Sequence, residues 1–300
     1  GILDLAQFIS SHLPESDEPA FESHAPIRIA LVGRPNVGKS SLVNALLEDD
    51  HTIVSDIAGT TRDAVDIPFT HGDINYVLID TAGLRPRNKQ DNSIEIFSAM
   101  RAKSSIRRAD LCALVVDASQ GVTAQDRKIA GLIADYDQPC LIMANKFDLF
   151  HPDAPKSERI GAMKDEVSDG LFFVQYAPVI AASAKTGESV TRLFFGVEQI
   201  RKSAWEGLNT GLLNRILQEA LIAHPPPSGK NNKRFKLLYA TMAQFSNENR
   251  PIPTAEFILF CNKRSLLPQS YERYLENSIR KICAYTGIPI RFTFRERVPR

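Results

Sequence analysis

The sequence predicts an α/β fold: a mostly parallel β-sheet flanked by helices, followed by a small α+β unit of order α-β-β-α-β. Three observations predict it. Short apolar runs such as Leu111–Val116 and Cys140–Ala144 read as strands buried on both faces, as in a parallel sheet. Stretches of helical periodicity separate these runs, which is the rhythm of βαβ units. Beyond residue 208 that rhythm gives way to the shorter α-β-β-α-β pattern. With 300 residues the chain is long enough for two domains. Its 43% hydrophobic and 24% charged composition excludes a disordered or low-complexity chain, and such a core needs no disulfide or metal to hold it.

The elements follow in order. Gly1–Leu13 reads as an amphipathic helix through Ile2, Leu3, Leu5, Ile9 and Leu13. Residues 14–26 carry Pro14, Pro19 and Pro26 with Glu15, Asp17, Glu18 and Glu22, an extended acidic linker. Ile27–Val32 is a buried strand and Lys39–Leu47 a helix. Ala64–Phe69 and Tyr76–Ile79 read as strands, then Leu111–Val116, Cys140–Ala144 and Val179–Ala182, with a helix running to about Ala204. Leu212, Leu213, Ile216, Leu217, Ala220 and Leu221 form a helical stripe that Pro225, Pro226 and Pro227 end. Phe235–Met242 and Phe257–Cys261 are strands. Tyr271, Tyr274, Leu275, Ile279 and Ile282 mark a helix stopped near Gly287 and Pro289, before a last strand through Ile290, Phe292 and Phe294. The expected division is 1–26 as upstream remnant and linker, 27–204 as the α/β domain and 208–300 as the α+β domain. Gly1 in place of a methionine points to a fragment or a processed chain.

No apolar run approaches the roughly 18 residues of a membrane-spanning helix, and the first 25 residues lack the Lys or Arg of a signal peptide. A cytoplasmic protein with no membrane partner is expected. Cys112, Cys140, Cys261 and Cys283 form no CxxC pair and read as buried thiols in a reducing compartment. The six histidines show no zinc spacing, and His51 reads as solvated surface.

Gly33-Arg34-Pro35-Asn36-Val37-Gly38-Lys39-Ser40 matches GxxxxGK[ST], between an expected strand and an expected helix that continues through Ser41. In such a loop backbone N–H groups converge on phosphate oxygens and the helix N-terminus adds positive potential. Lys39 reaches the β- and γ-phosphates and Ser40 ligates Mg²⁺. Asp80-Thr81-Ala82-Gly83 ends an apolar strand, so Asp80 meets the Mg²⁺ shell and the Gly83 N–H the γ-phosphate, with Leu84 following. Asn145-Lys146-Phe147-Asp148 ends another strand. A carboxylate at Asp148 accepts both N1–H and the exocyclic amine of guanine, a pair adenine does not offer. Ser183-Ala184-Lys185 closes over the base. These motifs, each at the C-terminal end of a strand, predict a GTP/GDP site in a P-loop GTPase fold.

The loop Ser55-Asp56-Ile57-Ala58-Gly59-Thr60-Thr61-Arg62-Asp63 resembles switch I of the Era-like GTPases. Together with Tyr271-Glu272-Arg273-Tyr274-Leu275-Glu276-Asn277 and Gly287-Ile288-Pro289-Ile290 in the terminal unit, the chain resembles the EngA/Der family over its whole length. That family carries tandem GTPase domains and a C-terminal KH-like domain, and acts in assembly of the bacterial large ribosomal subunit. The resemblance implies that residues 1–13 match the end of a first GTPase domain, otherwise absent, which would itself be a partner. It also implies the large subunit, rRNA and protein, as partner, and Thr61 as a second Mg²⁺ ligand. Lys39, Thr61 and Gly83 are the implied catalytic residues. The Era and MnmE families share the GTPase motifs. Era's KH domain carries a GxxG clamp that does not occur after residue 200 here, and MnmE ends in a cysteine motif where this chain ends Val298-Pro299-Arg300.

Ras-like enzymes place a water-orienting Gln where this chain has Leu84, which has no hydrogen-bonding atom. The resemblance implies a slow enzyme stimulated by K⁺, with Asn36 and the backbone carbonyls of Ser55, Ile57 and Thr60 as the cage; alternatively Asn36 only shapes the loop. The alternative functions are a nucleotide-gated RNA- or protein-binding module with negligible turnover, and an Era-like small-subunit assembly GTPase.

Charge is divided unevenly. Residues 201–300 hold 17 Lys/Arg against 7 Asp/Glu, and residues 1–200 hold 19 against 28. In the last strand Arg291, Arg295 and Arg297 alternate with the apolar face, which predicts an RNA surface that tracks phosphates with few exposed aromatics. The competing expectation is a face packed against a GTPase domain.

Overall fold

The computed structural model describes residues 25–54, 66–81, 94–205, 207–227, 233–243 and 250–297, with 94–100 as backbone only. The expected N-terminal helix and most of the linker lie outside them. The strands are β1 Ile27–Val32, β2 Thr52–Val54, β3 Ile67–His71, β4 Ile74–Ile79, β5 Leu111–Asp117, β6 Cys140–Asn145, β7 Val179–Ala181, β8 Leu237–Met242, β9 Ala255–Cys261 and β10 Ile290–Glu296. The helices are α1 Lys39–Leu47, α2 Ile94–Arg108, α3 Ala124–Asp135, α4 Lys156–Gly170, α5 Arg192–Trp205, α6 Thr210–Ala223 and α7 Gln269–Arg280.

The larger sheet has seven strands in the order β2-β3-β4-β1-β5-β6-β7. From β4 through β1, β5, β6 and β7 every neighbour is parallel, while β2-β3-β4 form an antiparallel edge. Strand alternation divides the core. Leu111, Ala113 and Val115 join one buried cluster with α1 and α5, while Cys112, Leu114 and Val116 join another with α3 and α4. Such two-sided burial is why β5 and β6 read as unbroken apolar runs. Strand β2 was not anticipated: it has three residues, Ile53 is 72% exposed, and it exists through its pairing with β3 rather than through any buried pattern. Strand β3 starts at Ile67 rather than at Ala64, and residues 64 and 65 lie outside the described part. Helix α3 opens with a reciprocal capping box between Thr123 and Asp126, a device that stabilises by about 1 kcal/mol.

The smaller sheet has the order β10-β9-β8, with β8 and β9 antiparallel and β9 and β10 parallel. Its inner face packs under α6 and α7, and its apolar residues belong to the same buried cluster as Val197, Ile200 and Ala204 of α5. The α-β-β-α-β order is therefore observed, on a core continuous with one face of the larger sheet. Cys112, Cys140 and Cys261 are buried and Cys283 is half-buried; burial pushes the Cys140 thiol up to about 12. Among the described residues no helix is long and apolar enough to cross a membrane.

The two units meet at Gly287. Its N–H donates to Tyr176 O at 2.6 Å and its carbonyl accepts from Cys140 N at 2.9 Å, at the N-terminal end of β6. A Cβ at Gly287 would stand 2.2 Å from Ile200 Cγ1, and the residue has a φ of +73°. Arg280 reinforces the turn by donating to Ala284 O, Tyr285 O and Ile288 O while lying over the Tyr176 ring. Gly287→Ala combines left-handed strain with overpacking of Ile200, together about 2–4 kcal/mol. A lower urea midpoint is expected, and the loss should be smaller when Gly287→Ala is made in an Ile200→Ala background than in the unchanged chain, because the clash is with that side chain.

Candidate nucleotide-binding site

The turn from β1 into α1 carries the GxxxxGKS residues. Gly38 caps α1 at a φ of +94°, and a Cβ there would lie 2.2 Å from Asn145 Nδ2. Only glycine serves at that position. Gly38 brings no side-chain oxygen to the first-turn N–H groups of α1, so these donors remain suited to an anion. Asn36, also left-handed, and Pro35 are exposed at the loop tip, Val37 is buried beneath it, and Ser40 and Ser41 are exposed on the first turn. Lys39 Nζ spans the loop, donating to Gly33 O at 2.9 Å and Arg34 O at 2.7 Å. Burial brings its pKa down to about 8, with Asp126 opposing the shift and Arg34 adding to it.

The C-terminal ends of β5 and β6 face this loop. Asn145, 2% exposed, donates from Nδ2 to Val37 O at 2.8 Å and accepts on Oδ1 from the Ala184 N–H at 2.9 Å. One carboxamide thus joins the phosphate loop to the Ser183–Lys185 turn. Ser183 Oγ donates to Asp148 Oδ1 at 2.7 Å, which orients that carboxylate, and Lys185 is exposed at the turn's rim. Lys146 is left-handed with a φ of +61° and donates from Nζ to Asp117 Oδ2 at 2.6 Å. Burial alone would raise the Asp117 pKa; the Lys146 and Ser119 hydrogen bonds and the Lys146 charge outweigh it and hold the carboxyl below its usual range.

Asp80 follows β4 with a φ of +57°. Its Oδ2 accepts from Ser105 Oγ of α2 at 2.8 Å, and its N–H donates to Asp66 Oδ1 at 3.0 Å. Asp66 in turn pairs with Arg108. Asp80, expected to serve a metal, is here bonded to α2. Thr81 is buried beside it. The structure therefore gathers Gly33–Ser41, Asp80, Thr81, Asn145, Lys146, Asp148 and Ser183–Lys185 along one end of the sheet. The other expected residues, Ser55, Ile57, Thr60, Thr61, Ala82, Gly83 and Leu84, lie outside the described part.

Sequence reasoning missed the supporting acids. Asp117, the last residue of an apolar strand, holds Lys146. Asp126, fully buried, lies 3.4 Å from Arg34 Nε, and Arg34 Nη2 donates to Gln120 Oε1 at 2.9 Å. The strand-terminal position of Asp117 and the Thr123-x-x-Asp126 capping pattern are the signals that pointed to them. The Gly38 contact, the uncapped α1 N-terminus and the desolvated Lys39 fit a polyphosphate, and the Ser183-oriented Asp148 fits a base that presents paired donors.

The family described as "50S ribosome-binding GTPase" matches residues 28–146, and the family described as "KH-domain-like of EngA bacterial GTPase enzymes, C-terminal" matches residues 208–295. The chain is 49% identical over 97% of its length to the GTPase Der of Akkermansia muciniphila, covering 62% of that protein. It is 40% identical over its full length to the GTPase Der of Alkaliphilus oremlandii, covering 66%. The chain belongs to the EngA/Der family. It spans a little under two thirds of the length of these family members. It is also similar, with a TM-score of 0.44 and 19% identity over 89% of this chain and 91% of the other, to Era crystallised with MgGDPNP and nucleotides 1506–1542 of 16S ribosomal RNA. The family places a P-loop GTPase fold ahead of a KH-like unit, which is the order of the two sheets here.

In an EngA/Der site the low Lys39 pKa has a measurable consequence. With its folded value near about 8, Lys39 is close to half neutral at that pH and fully charged below about pH 6.5. A polyphosphate on the loop favours the cation and raises the pKa. GDP binding should therefore take up as much as about half a proton near pH 8 and almost none near pH 6.5. Calorimetry in buffers of different ionisation enthalpy measures this uptake, and Lys39→Arg should abolish it.

Proposed function

We propose that this chain binds GTP, hydrolyses it slowly to GDP and inorganic phosphate, and serves as a switch in assembly of the bacterial large ribosomal subunit. Asn145 carries the reading: a single buried side chain bonds the phosphate loop and the Ser183–Lys185 turn, and the Asp148 carboxylate beside it is held by Ser183. A site assembled around a carboxylate acceptor suits guanine and leaves adenine with an unpaired partner. Membership in a family described as ribosome-binding supports the cellular role, and a cytoplasmic location goes with that role.

The residues divide the work as follows. Gly33–Ser41 wrap the phosphates, with Lys39 exchanging its two loop carbonyls for phosphate oxygens. Asp148 and Ser183–Lys185 select and cover the base. Ser40 and Thr61 would hold Mg²⁺ near Asp80, and the ion would neutralise charge on the phosphates. Asn36 with the carbonyls of Ser55, Ile57 and Thr60 holds K⁺. The Gly83 N–H meets the γ-phosphate, and Leu84 leaves the attacking water without a side-chain partner, which makes the reaction slow. We place the GTPase domain at 27–204 and the KH-like domain at 208–300; the family matches at 28–146 and 208–295 fall inside these limits. Of the RNA candidates, Arg291, Arg295 and Arg297 are all exposed, and Arg291 lies 4.0 Å from Glu256. The phosphate-tracking role therefore rests on Arg295 and Arg297 more than on Arg291.

Calorimetry should give GTP a preference over ATP of roughly 10⁴ or more, and Asp148→Asn should move that preference toward xanthosine nucleotides, because an amide donates to the extra carbonyl of xanthine. Equal affinity for ATP and GTP removes the reading. Phosphate release with GTP and Mg²⁺, measured in K⁺ and then in Na⁺, should be faster in K⁺. No turnover in either salt would leave a nucleotide-gated binding module.

A further inference from the structure

The open face of the smaller sheet has a character the charge pattern alone did not foretell. Alternation places Tyr239 and Thr241 of β8, Ile258 and Phe260 of β9, and Thr293 and Arg295 of β10 on the side away from α6 and α7. The register sets Tyr239 opposite Phe260, and Phe260 opposite Arg295. Tyr239 is 47% exposed and Phe260 39%, with ring centroids 6.2 Å apart and ring planes inclined by 41°. A β-bulge between Leu237 and Tyr239 inserts Leu238, which is also exposed. The expectation of few exposed aromatics is thus corrected.

The two ends of this face differ. At the Arg291 end Glu256 accepts from Thr293 Oγ1 at 2.5 Å and lies 4.0 Å from Arg291. The exposed Arg291 thus has a carboxylate of its own sheet beside it. Four residues further along β10, about 13 Å at 3.3 Å per residue, lies Arg295. There the strand ends are ringed by Arg295, Arg297, Lys236 and Lys263, none of which pairs with a carboxylate among the described residues. Arg297 N bonds Cys261 O and Lys236 N bonds Asn262 Oδ1, which fixes both cations' backbones at this end.

We propose that the Tyr239–Phe260–Arg295 end of the smaller sheet is a stacking platform for unpaired bases of single-stranded RNA, with Arg295, Arg297, Lys236 and Lys263 on the flanking phosphates. This rests on the RNA role proposed above and extends it from phosphates to bases. Side-by-side exposed rings on an open sheet offer π-faces to splayed bases and nothing to a paired duplex. Unneutralised cations around a small apolar centre suit a polyanion, and an RNA strand brings one phosphate with every base.

The full chain is titrated against a labelled, unstructured RNA of about ten nucleotides and against an RNA duplex of equal length, over a series of KCl concentrations. Tyr239→Ala and Phe260→Ala should each weaken single-strand binding about 5- to 100-fold. They should leave the duplex affinity, the salt slope, GDP affinity and the urea midpoint unchanged, and Tyr239→Phe should bind as the unchanged chain does. Arg295→Ala should flatten the salt slope by about 0.7. Salt-dependent binding that ignores Tyr239 and Phe260 overturns the platform and leaves the phosphate role standing. Absence of any RNA affinity overturns both, with GTP binding untouched. Aromatic variants that change the sedimentation of the chain and not its RNA affinity identify a protein contact, and the proposal falls.

Discussion

The bond pair made by Asn145 is the constraint from which the rest of the site follows. A buried carboxamide must satisfy its donor and its acceptor, and the groups within reach belong to segments far apart in the chain, Val37 and Ala184. Leaving either unmade costs about 1–3 kcal/mol per group. The Gly33–Ser41 loop and the Ser183–Lys185 turn are therefore held at one fixed separation. Gly38 must lack a side chain because Asn145 Nδ2 occupies the space where its Cβ would be.

Charged residues extend this frame outward. Lys146 is stretched toward Asp117, and Asp117 is in turn fixed by Ser119. Arg34 leans on Asp126, whose other task is to cap α3. These acids lie at or near the C-terminal ends of parallel strands, where the sheet presents its ligand crevice. Lys39 remains half-buried against backbone carbonyls with no carboxylate bonded to it among the described residues, which is the arrangement that depresses its pKa and leaves it ready for an anion.

Strand β6 connects this site to the smaller sheet. Asn145 ends it, and Cys140 begins it with a hydrogen bond to Gly287. The KH-like unit is thus seated at the end of the sheet opposite the nucleotide crevice, on a core it shares with α5. On its outer face Arg291 lies beside Glu256 at one end, while Tyr239 and Phe260 are exposed at the other.

Much of this was legible in the sequence. Strands β1, β5 and β6 are readable because burial on both faces demands unbroken apolar runs, and the GxxxxGKS, DTAG, NKFD and SAK motifs are local, so their order along the chain already implies one ligand. The α-β-β-α-β order of the last 93 residues follows from periodicity alone. Tertiary structure decided what depends on distant partners. Strand β2 exists only because β3 offers it an edge, Asp80 meets Ser105 through the placement of α2, and Asp126 meets Arg34 across the two helix N-termini. Arg291 and Arg295 are indistinguishable in sequence, two arginines on one face of one strand. Only the register of β10 on β9 sets Arg291 beside Glu256 and Arg295 beside an exposed pair of rings, because charge and exposure are properties of surroundings that the chain acquires on folding.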